Sequence, residues 1–283
     1  MTKDIQVRPL EGVGAEILGV DLADDLPDPA FAAIRAAFAD HGLIFFRDQA
    51  ISEARHIEFA RRFAPININR FFAAHPRHPE IALVTKEPDQ RHNIGGGWHT
   101  DHSYDEIPAM GSILVARELP PSGGNTLFAS MYAAYDALSP GFQRMLATLS
   151  ALHSARHVFG EGAAYAGADT RGSRIGNTQA ADALADVIHP VVITHPLSGK
   201  KALYVNPAFT LRFEGWTEEE SRPLLTQLYA HCIDPRFVHE FEWKDGSIAF
   251  WDNRATWHFA RNDYHGLRRE MHRITVEGQP LGG

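Results

Sequence analysis

Three side chains carry the types that bind a metal ion. In Trp98-His99-Thr100-Asp101-His102 an imidazole and a carboxylate stand two residues apart. On an extended strand residues two apart share a face, so His99 and Asp101 can grip one ion while Thr100 faces away. A third ligand must come from elsewhere. The best candidate is His258, in Trp251-Asp252-Asn253-Arg254-Ala255-Thr256-Trp257-His258, a segment that begins at the end of an apolar strand. Two imidazoles and one carboxylate on one side of an ion form a facial triad, which leaves sites open for a cosubstrate and dioxygen and suits ferrous iron. A bare His-x-Asp pair arises by chance in many chains, so the triad needs support from the rest of the sequence. On such a strand His102 faces opposite to Asp101 and is no ligand without a bulge. His75, His78, His92, His153, His157, His189 and His195 lack a carboxylate at that spacing and are read as structural.

Further on, Arg269 and Arg273 are four residues apart. On a strand both project to one face, where each guanidinium can hold an anion with a bidentate fork, and two anions near one iron need two such clamps. His272 alternates with Arg273 and points away. Taken without the triad, these arginines read as solvated surface charges.

These residues need a framework, and short strand-like runs dominate the chain. They are Ala15–Val20, Gly42–Phe46, Ile81–Thr85, Ser112–Ala116, Val191–Thr194, Ala202–Val205, Ser247–Trp251 and Met271–Val276. Helical patterns are predicted at Asp28–Asp40, Ser52–Phe63, Met131–Leu149 and Glu218–His231. In the first, Phe31, Ile34, Ala37 and Phe38 recur at helical spacing behind Pro29. The fold class is mainly β with flanking helices, a sandwich or barrel, read as one domain over 1–283. The Gly-, Ala-, Ser- and Asn-rich stretch 160–185 reads as a long loop, an active-site lid.

With a net charge of −8 and no Lys/Arg-rich run, the 283-residue chain has no nucleic-acid footprint. No apolar run approaches the ~20 residues that span a bilayer, and Met1–Leu10 lacks the apolar core of a signal peptide, so a cytoplasmic setting is expected. The lone Cys232 excludes an intrachain disulfide and a thiolate-rich metal site.

Nearly the whole chain resembles the TauD/TfdA-like family of Fe(II)- and 2-oxoglutarate-dependent dioxygenases. The resemblance is carried by Trp98-His99-Thr100-Asp101, Gly123-Gly124-Asn125-Thr126-Leu127, His189-Pro190-Val191-Val192-Ile193-Thr194-His195-Pro196, Trp251-Asp252-Asn253-Arg254, and the stretch from His258 to Arg273, in the family's order. It implies a double-stranded β-helix, a cupin-like jelly roll. It also implies Fe(II) on His99, Asp101 and His258, with Thr126 and Arg269 on the distal carboxylate of 2-oxoglutarate. Arg273 would meet an anionic group of the primary substrate. The implied reaction consumes O2, releases succinate and CO2, and hydroxylates the substrate beside a heteroatom to give an unstable product that falls apart. A halogenase of this type would lack the carboxylate of Asp101. Dimers or tetramers are the assemblies that the resemblance suggests.

Taurine itself fits poorly. Ile94-Gly95-Gly96-Gly97, just before the His-x-Asp segment, offers no carboxylate or amide to an ammonium. Asn67 stands where taurine enzymes use a histidine on the sulfonate. A buried ammonium without a partner would cost several kcal/mol, roughly the penalty of an unpaired buried polar group or more. The expected substrate is a small organic anion with an apolar body: an alkyl sulfonate, an alkyl sulfate ester or an aryloxyalkanoate. Asn67, His102 and Phe159 are its candidate contacts beside Arg273, with Phe71 and Phe72 also at the mouth. The rival readings are taurine dioxygenase proper, a zinc hydrolase, which two histidines and a carboxylate also suit, and a non-catalytic jelly-roll binding protein. The zinc hydrolase explains neither the paired arginines nor Thr126, and against the binding protein an intact triad with both anion clamps leaves no lesion that would explain lost activity.

Overall fold

The computed structural model describes residues 5–160 and 185–282, so the lid expected over 160–185 lies, but for its two end residues, outside the described residues. The elements run β1 (Gln6–Pro9), β2 (Ala15–Leu18), α1 (Asp28–His41), β3 (Leu43–Phe46), α2 (Glu53–Arg61), β4 (Ile66–Asn67), β5 (Ala74–His75) and β6 (His78–Lys86). They continue with β7 (Gly111–Glu118), β8 (Thr126–Ser130), α3 (Met131–Asp136), α4 (Pro140–Leu146), β9 (Ser150–Ser154), α5 (Arg156–Phe159), β10 (Asp186–Pro190), β11 (Val192–Thr194) and β12 (Lys201–Leu203). The last are β13 (Thr210–Phe213), α6 (Glu218–Cys232), β14 (Val238–Phe241), β15 (Ile248–Asp252), β16 (Thr256–Ala260) and β17 (Arg269–Val276).

The major sheet has the order β1-β2-β3-β15-β7-β17-β6-β5, with β4 on β17. The facing sheet is β14-β8-β16, and β10-β9-β13 forms a third. This is the expected mainly β jelly roll, two packed sheets with helices outside.

The central strands are apolar on both faces because both faces are covered, which is why they read as continuous runs. Alternate residues part company. Ile44, Phe46, Ile113, Val115, Ile248, Phe250, Ile274 and Val276 pack under α1 and α2 against Ile34, Phe38, Ile57 and Phe59. Leu43, Phe45, Leu114, Ala249, Trp251 and Met271 point the other way and meet Phe128 of β8 and Phe241 of β14. Phe45 stacks on Phe241 at 4.0 Å between ring centroids. At about 25 cal/mol per Å² of apolar surface, this inter-sheet core is what holds the two halves of the sandwich together.

One predicted helix differs. The run Met131–Leu149 breaks into α3 and α4, because Pro140 has no N–H to continue a helix and Ser139 instead accepts from the Phe142 N–H (3.4 Å), starting a new one.

Candidate metal centre

His258 lies on β16, and His99 reaches it by a two-residue bridge. The His258 N–H donates to the His99 carbonyl at 2.8 Å, and the His99 N–H returns the bond at 3.2 Å. The two rings end 4.0 Å apart, centroid to centroid. Beyond His99 the chain does not stay extended as expected. Thr100 sends its hydroxyl to the Asn253 carbonyl, and Asp101 begins a turn. The carboxylate therefore reaches the rings from a turn, and strand alternation is not the cause.

The corner before β16 is tied down by buried charge. Asp252 accepts from the Arg254 Nε at 2.9 Å and Nη2 at 2.7 Å, and pairs with His195 Nε2 at 2.9 Å. Asn253 is pinned through its own N–H to Met110 at 2.9 Å. Asp252, Arg254 and His195 are at most 1 % exposed. Burial pushes the Asp252 carboxyl up, but Arg254 and His195 outweigh it, and the group sits well below the ordinary carboxylate range. His189 is likewise structural, bonding the Asp105 carbonyl at 3.0 Å.

His99 Nδ1 lies 2.7 Å from the Gly97 carbonyl. A carbonyl only accepts, so Nδ1 carries the proton and the Nε2 lone pair faces inward. That Nε2 is 3.8 Å from Asp101 Oδ1, and His258 Nε2 is 3.6 Å from Asp101 Oδ2. The ligand atoms of the three residues all lie within 4.8 Å of one another. These gaps are too long for hydrogen bonds, yet close to the ~3 Å that separates neighbouring ligands around an ion held at about 2 Å. Two imidazole nitrogens and a carboxylate that converge without bonding one another fit a cation. Burial would raise the Asp101 carboxyl, but Arg273, His258 and His99 hold it well below its ordinary value. Burial and then His99 push His258 down, which keeps it neutral and able to ligate. Gly95, at φ +80°, brings backbone against the ring: a Cβ there would stand 3.3 Å from His99 Cε1.

A cavity of about 600 Å³ opens over these groups. Thr126 and Arg269 line it on one side. Thr126 Oγ1 accepts from the Trp243 indole N–H at 3.0 Å, which leaves its own hydrogen free to be donated elsewhere. Arg269 is 5 % exposed, and its Nε and Nη2 are buried with no hydrogen-bond partner among the described residues. Burial lowers its pKa, offset in part by the neighbouring Tyr264 phenol. A buried guanidinium with idle donors is matched to an anion that lies beyond the described residues. Gly124, at φ +72°, makes room for it: a Cβ there would press to 3.3 Å on the Arg269 stem and on the Tyr264 ring. Arg273, on the same face of β17, lines the cavity too and gives Nη2 to Asp101 Oδ2 at 2.9 Å.

Phe159 and Phe72 stand in the cavity wall, and Phe71 stacks behind Phe159 at 3.9 Å. Two other candidates for substrate contact do not reach it. His102 adopts φ 61° in the turn and is buried, with Nδ1 2.7 Å from Asp105 Oδ2, so it supports the turn from behind. Asn67 pairs with Thr275 at the end of β17 and gives its amide to Glu277 at 2.9 Å. Asn69 stands in the wall instead, its Oδ1 accepting from the Phe71 and Phe72 N–H groups at 2.8 and 3.1 Å. Strand β4 is only two residues long, so counting along the sequence misjudged which asparagine turns inward. The sequence reading also missed Tyr104, Phe209 and Trp243, which have the look of ordinary core aromatics; only the fold shows what they face.

The family model described as taurine catabolism dioxygenase TauD, TfdA family matches residues 6–275. An alpha-ketoglutarate-dependent sulfate ester dioxygenase from Pseudomonas putida is 32% identical over 99% of this chain and 92% of its own. The (S)-phenoxypropionate/alpha-ketoglutarate-dioxygenase of Sphingobium herbicidovorans is 31% identical over 99% of this chain and 97% of its own. The crystal structure of a taurine dioxygenase from Burkholderia xenovorans superposes with a TM-score of 0.81 at 31% identity, covering 99% of this chain and 91% of that one.

Proposed function

Since the chain belongs to the TauD, TfdA family of dioxygenases, we propose that His99, Asp101 and His258 hold its ferrous ion, that Thr126 and Arg269 hold the distal carboxylate of 2-oxoglutarate, and that Arg273 meets the anionic head of the primary substrate. The protein is an Fe(II)- and 2-oxoglutarate-dependent oxidoreductase that acts on a small organic anion. When bound, the iron supplies dioxygen activation coupled to loss of CO2 from 2-oxoglutarate.

The chain's own residues orient and exclude. The Gly97 carbonyl fixes the His99 ring, and Arg273 with Ser112 holds one Asp101 oxygen, at 2.9 and 3.5 Å, so the carboxylate offers its other oxygen freely. Arg269 and Thr126 give charge and a hydroxyl hydrogen to one carboxylate in a site screened from water, where such bonds gain strength. The observation that carries the reading is the convergence of three lone-pair groups within 4.8 Å in a cavity that also holds both arginines.

For the substrate, the support is the wall. Phe72, Ile94, Val158, Phe159, Pro207 and Phe209 are apolar, and Asp101 is the one carboxylate among the described lining residues. Among the described lining residues an ammonium would have no acidic partner beyond a carboxylate already paired with Arg273. We therefore favour an alkyl sulfonate, an alkyl sulfate ester or an aryloxyalkanoate over taurine. The test is anaerobic loading with Fe(II) and 2-oxoglutarate, followed by the visible band of the ferrous chelate. Succinate release is then measured with hexyl sulfate, hexane-1-sulfonate, phenoxyacetate and taurine. Turnover of the apolar anions is expected; turnover confined to taurine overturns the substrate reading.

We further infer a cytoplasmic homo-oligomer, dimer or tetramer. Its support is the buried, unpaired Cys232, the lack of any described helix long and apolar enough to cross a membrane, and exposed apolar side chains such as Trp216 and Ile233. Light scattering and cell fractionation test it.

A further inference from the structure

Tyr104 lies three residues past Asp101 in the same turn. It is 6 % exposed, and it shares the cavity wall with Asp101, Arg273 and Phe209. Its ring is wedged edge-on among aromatic neighbours, 4.7 Å from Phe209 at 69°, 5.7 Å from Phe159 at 76° and 5.9 Å from Phe71 at 75°. A ring held on three sides cannot swing its hydroxyl aside.

That hydroxyl has no hydrogen-bond partner among the described residues. Nor is it sealed away, as the hydroxyls of Tyr204 and Tyr229 are. A phenol that served only to fill the wall would gain nothing over Phe and would forgo a bond, since buried tyrosines normally find a partner. Burial, with the Asp105 and Asp101 carboxylates nearby, raises its pKa well above the ordinary value. The group is therefore a donor throughout the neutral range.

Arg273, which lines the same cavity, is already partly engaged. Arg273 gives Nη2 to Asp101 at 2.9 Å, so an oxyanion held by Arg273 alone would receive less than the full guanidinium fork. A sulfonate, sulfate ester or carboxylate offers several lone pairs and needs further donors, and the lining residues packed on the Tyr104 ring, Phe159 and Phe209, supply none.

We propose that Tyr104 is a specificity-determining residue, its hydroxyl donating to the oxyanion head of the primary substrate beside Arg273. This rests on the substrate reading given above. The reading of Tyr104 as wall alone predicts that Phe serves equally well, and the two part on one oxygen atom.

The experiment is Tyr104→Phe, which keeps the ring and its packing. Wild type and variant are loaded with Ni(II) and 2-oxoglutarate, a non-turnover state, and titrated calorimetrically with hexyl sulfate, hexane-1-sulfonate and phenoxyacetate. With Fe(II), KM and kcat are measured for the same anions. The expected result is a rise of about tenfold in both Kd and KM for whichever of these anions the wild type binds, the scale of a hydrogen bond to a charged group. The 2-oxoglutarate Kd and the melting temperature should stay where they are. A substrate Kd within twofold of wild type, or a loss that falls on 2-oxoglutarate, overturns the inference. Wild-type protein that binds none of the three anions sinks the substrate reading and this inference with it, an outcome distinct from an unaltered variant.

Discussion

Replacing Arg269 by Met should loosen 2-oxoglutarate binding and, at the same time, leave the unliganded fold as stable as before or more so. Methionine keeps the unbranched stem and removes the charge. In the free protein the guanidinium is 5 % exposed, and its Nε and Nη2 have no hydrogen-bond partner among the described residues. It therefore bears a desolvation penalty that nothing nearby fully offsets. Removing it should relieve roughly 1–3 kcal/mol, set against about 1 kcal/mol of lost packing. With 2-oxoglutarate bound the sign reverses, because the variant leaves a buried carboxylate without its cation. Truncating one partner of such a pair costs about 2–5 kcal/mol, or roughly 30- to several-thousand-fold in Kd. The assay pairs thermal unfolding of the free protein with anaerobic titration of 2-oxoglutarate into the Fe(II)-loaded form. A variant that melts well below wild type and binds 2-oxoglutarate normally would refute the reasoning, for it would make Arg269 a structural residue.

Asp101→Ala should abolish stoichiometric Fe(II) uptake, read by metal analysis after anaerobic desalting, and with it succinate release; retained iron would mean that the carboxylate is not a ligand. Arg273→Ala should raise the KM of the anionic substrate by about 30-fold or more while the 2-oxoglutarate Kd moves little, and the opposite pattern in the two arginine variants would reverse their assignments. Stability should also fall with acid through His56, which is fully buried beside Arg117 and His272 and has its pKa pushed down to about 3 by burial. Between that value and an unfolded-state pKa of about 6.5, the unfolded chain binds the extra proton, so stability rises with pH across this window and is lost as pH falls. At pH 5 the loss relative to neutral pH is about 2 kcal/mol. Urea unfolding of wild type and His56→Leu at pH 5, 6 and 7.5 checks it: the variant should lose that slope, and parallel slopes would count against the buried, neutral ring.

Much of this arrangement could be read from residue order. The apolar strands β3, β7, β15 and β17 announce themselves because both faces are buried, and Arg269 and Arg273 share a face because β17 is a true strand. The elements that escaped have a different physics. β8 and β16, which carry Thr126 and His258, mix threonine, serine and histidine with a few apolar residues, and their sheet partners lie far away in the chain, so no local period marks them. The Asp101 turn is stabilised by His102, Asp105 and the distant His189, a tertiary contact that no local pattern reveals. Asn67 and Asn69 are alike as letters; what separates them is that one pairs with β17 and the other caps the Phe71–Phe72 backbone.

The buried Asp252 corner reaches further than the strand it starts. His195 joins that aspartate on one nitrogen and Ser198 on the other, at 2.9 and 3.0 Å. Lys200, in the same loop, is tied to the Asp40 carbonyl at the end of α1 at 2.8 Å. The corner that leads into β16, the strand that carries His258, is thus held by contacts that run out to the end of α1, among residues that do not line the cavity. Damage to that outer loop should express itself as a loosened metal site, so a screen for weakened iron retention should recover substitutions there as readily as in the cavity itself.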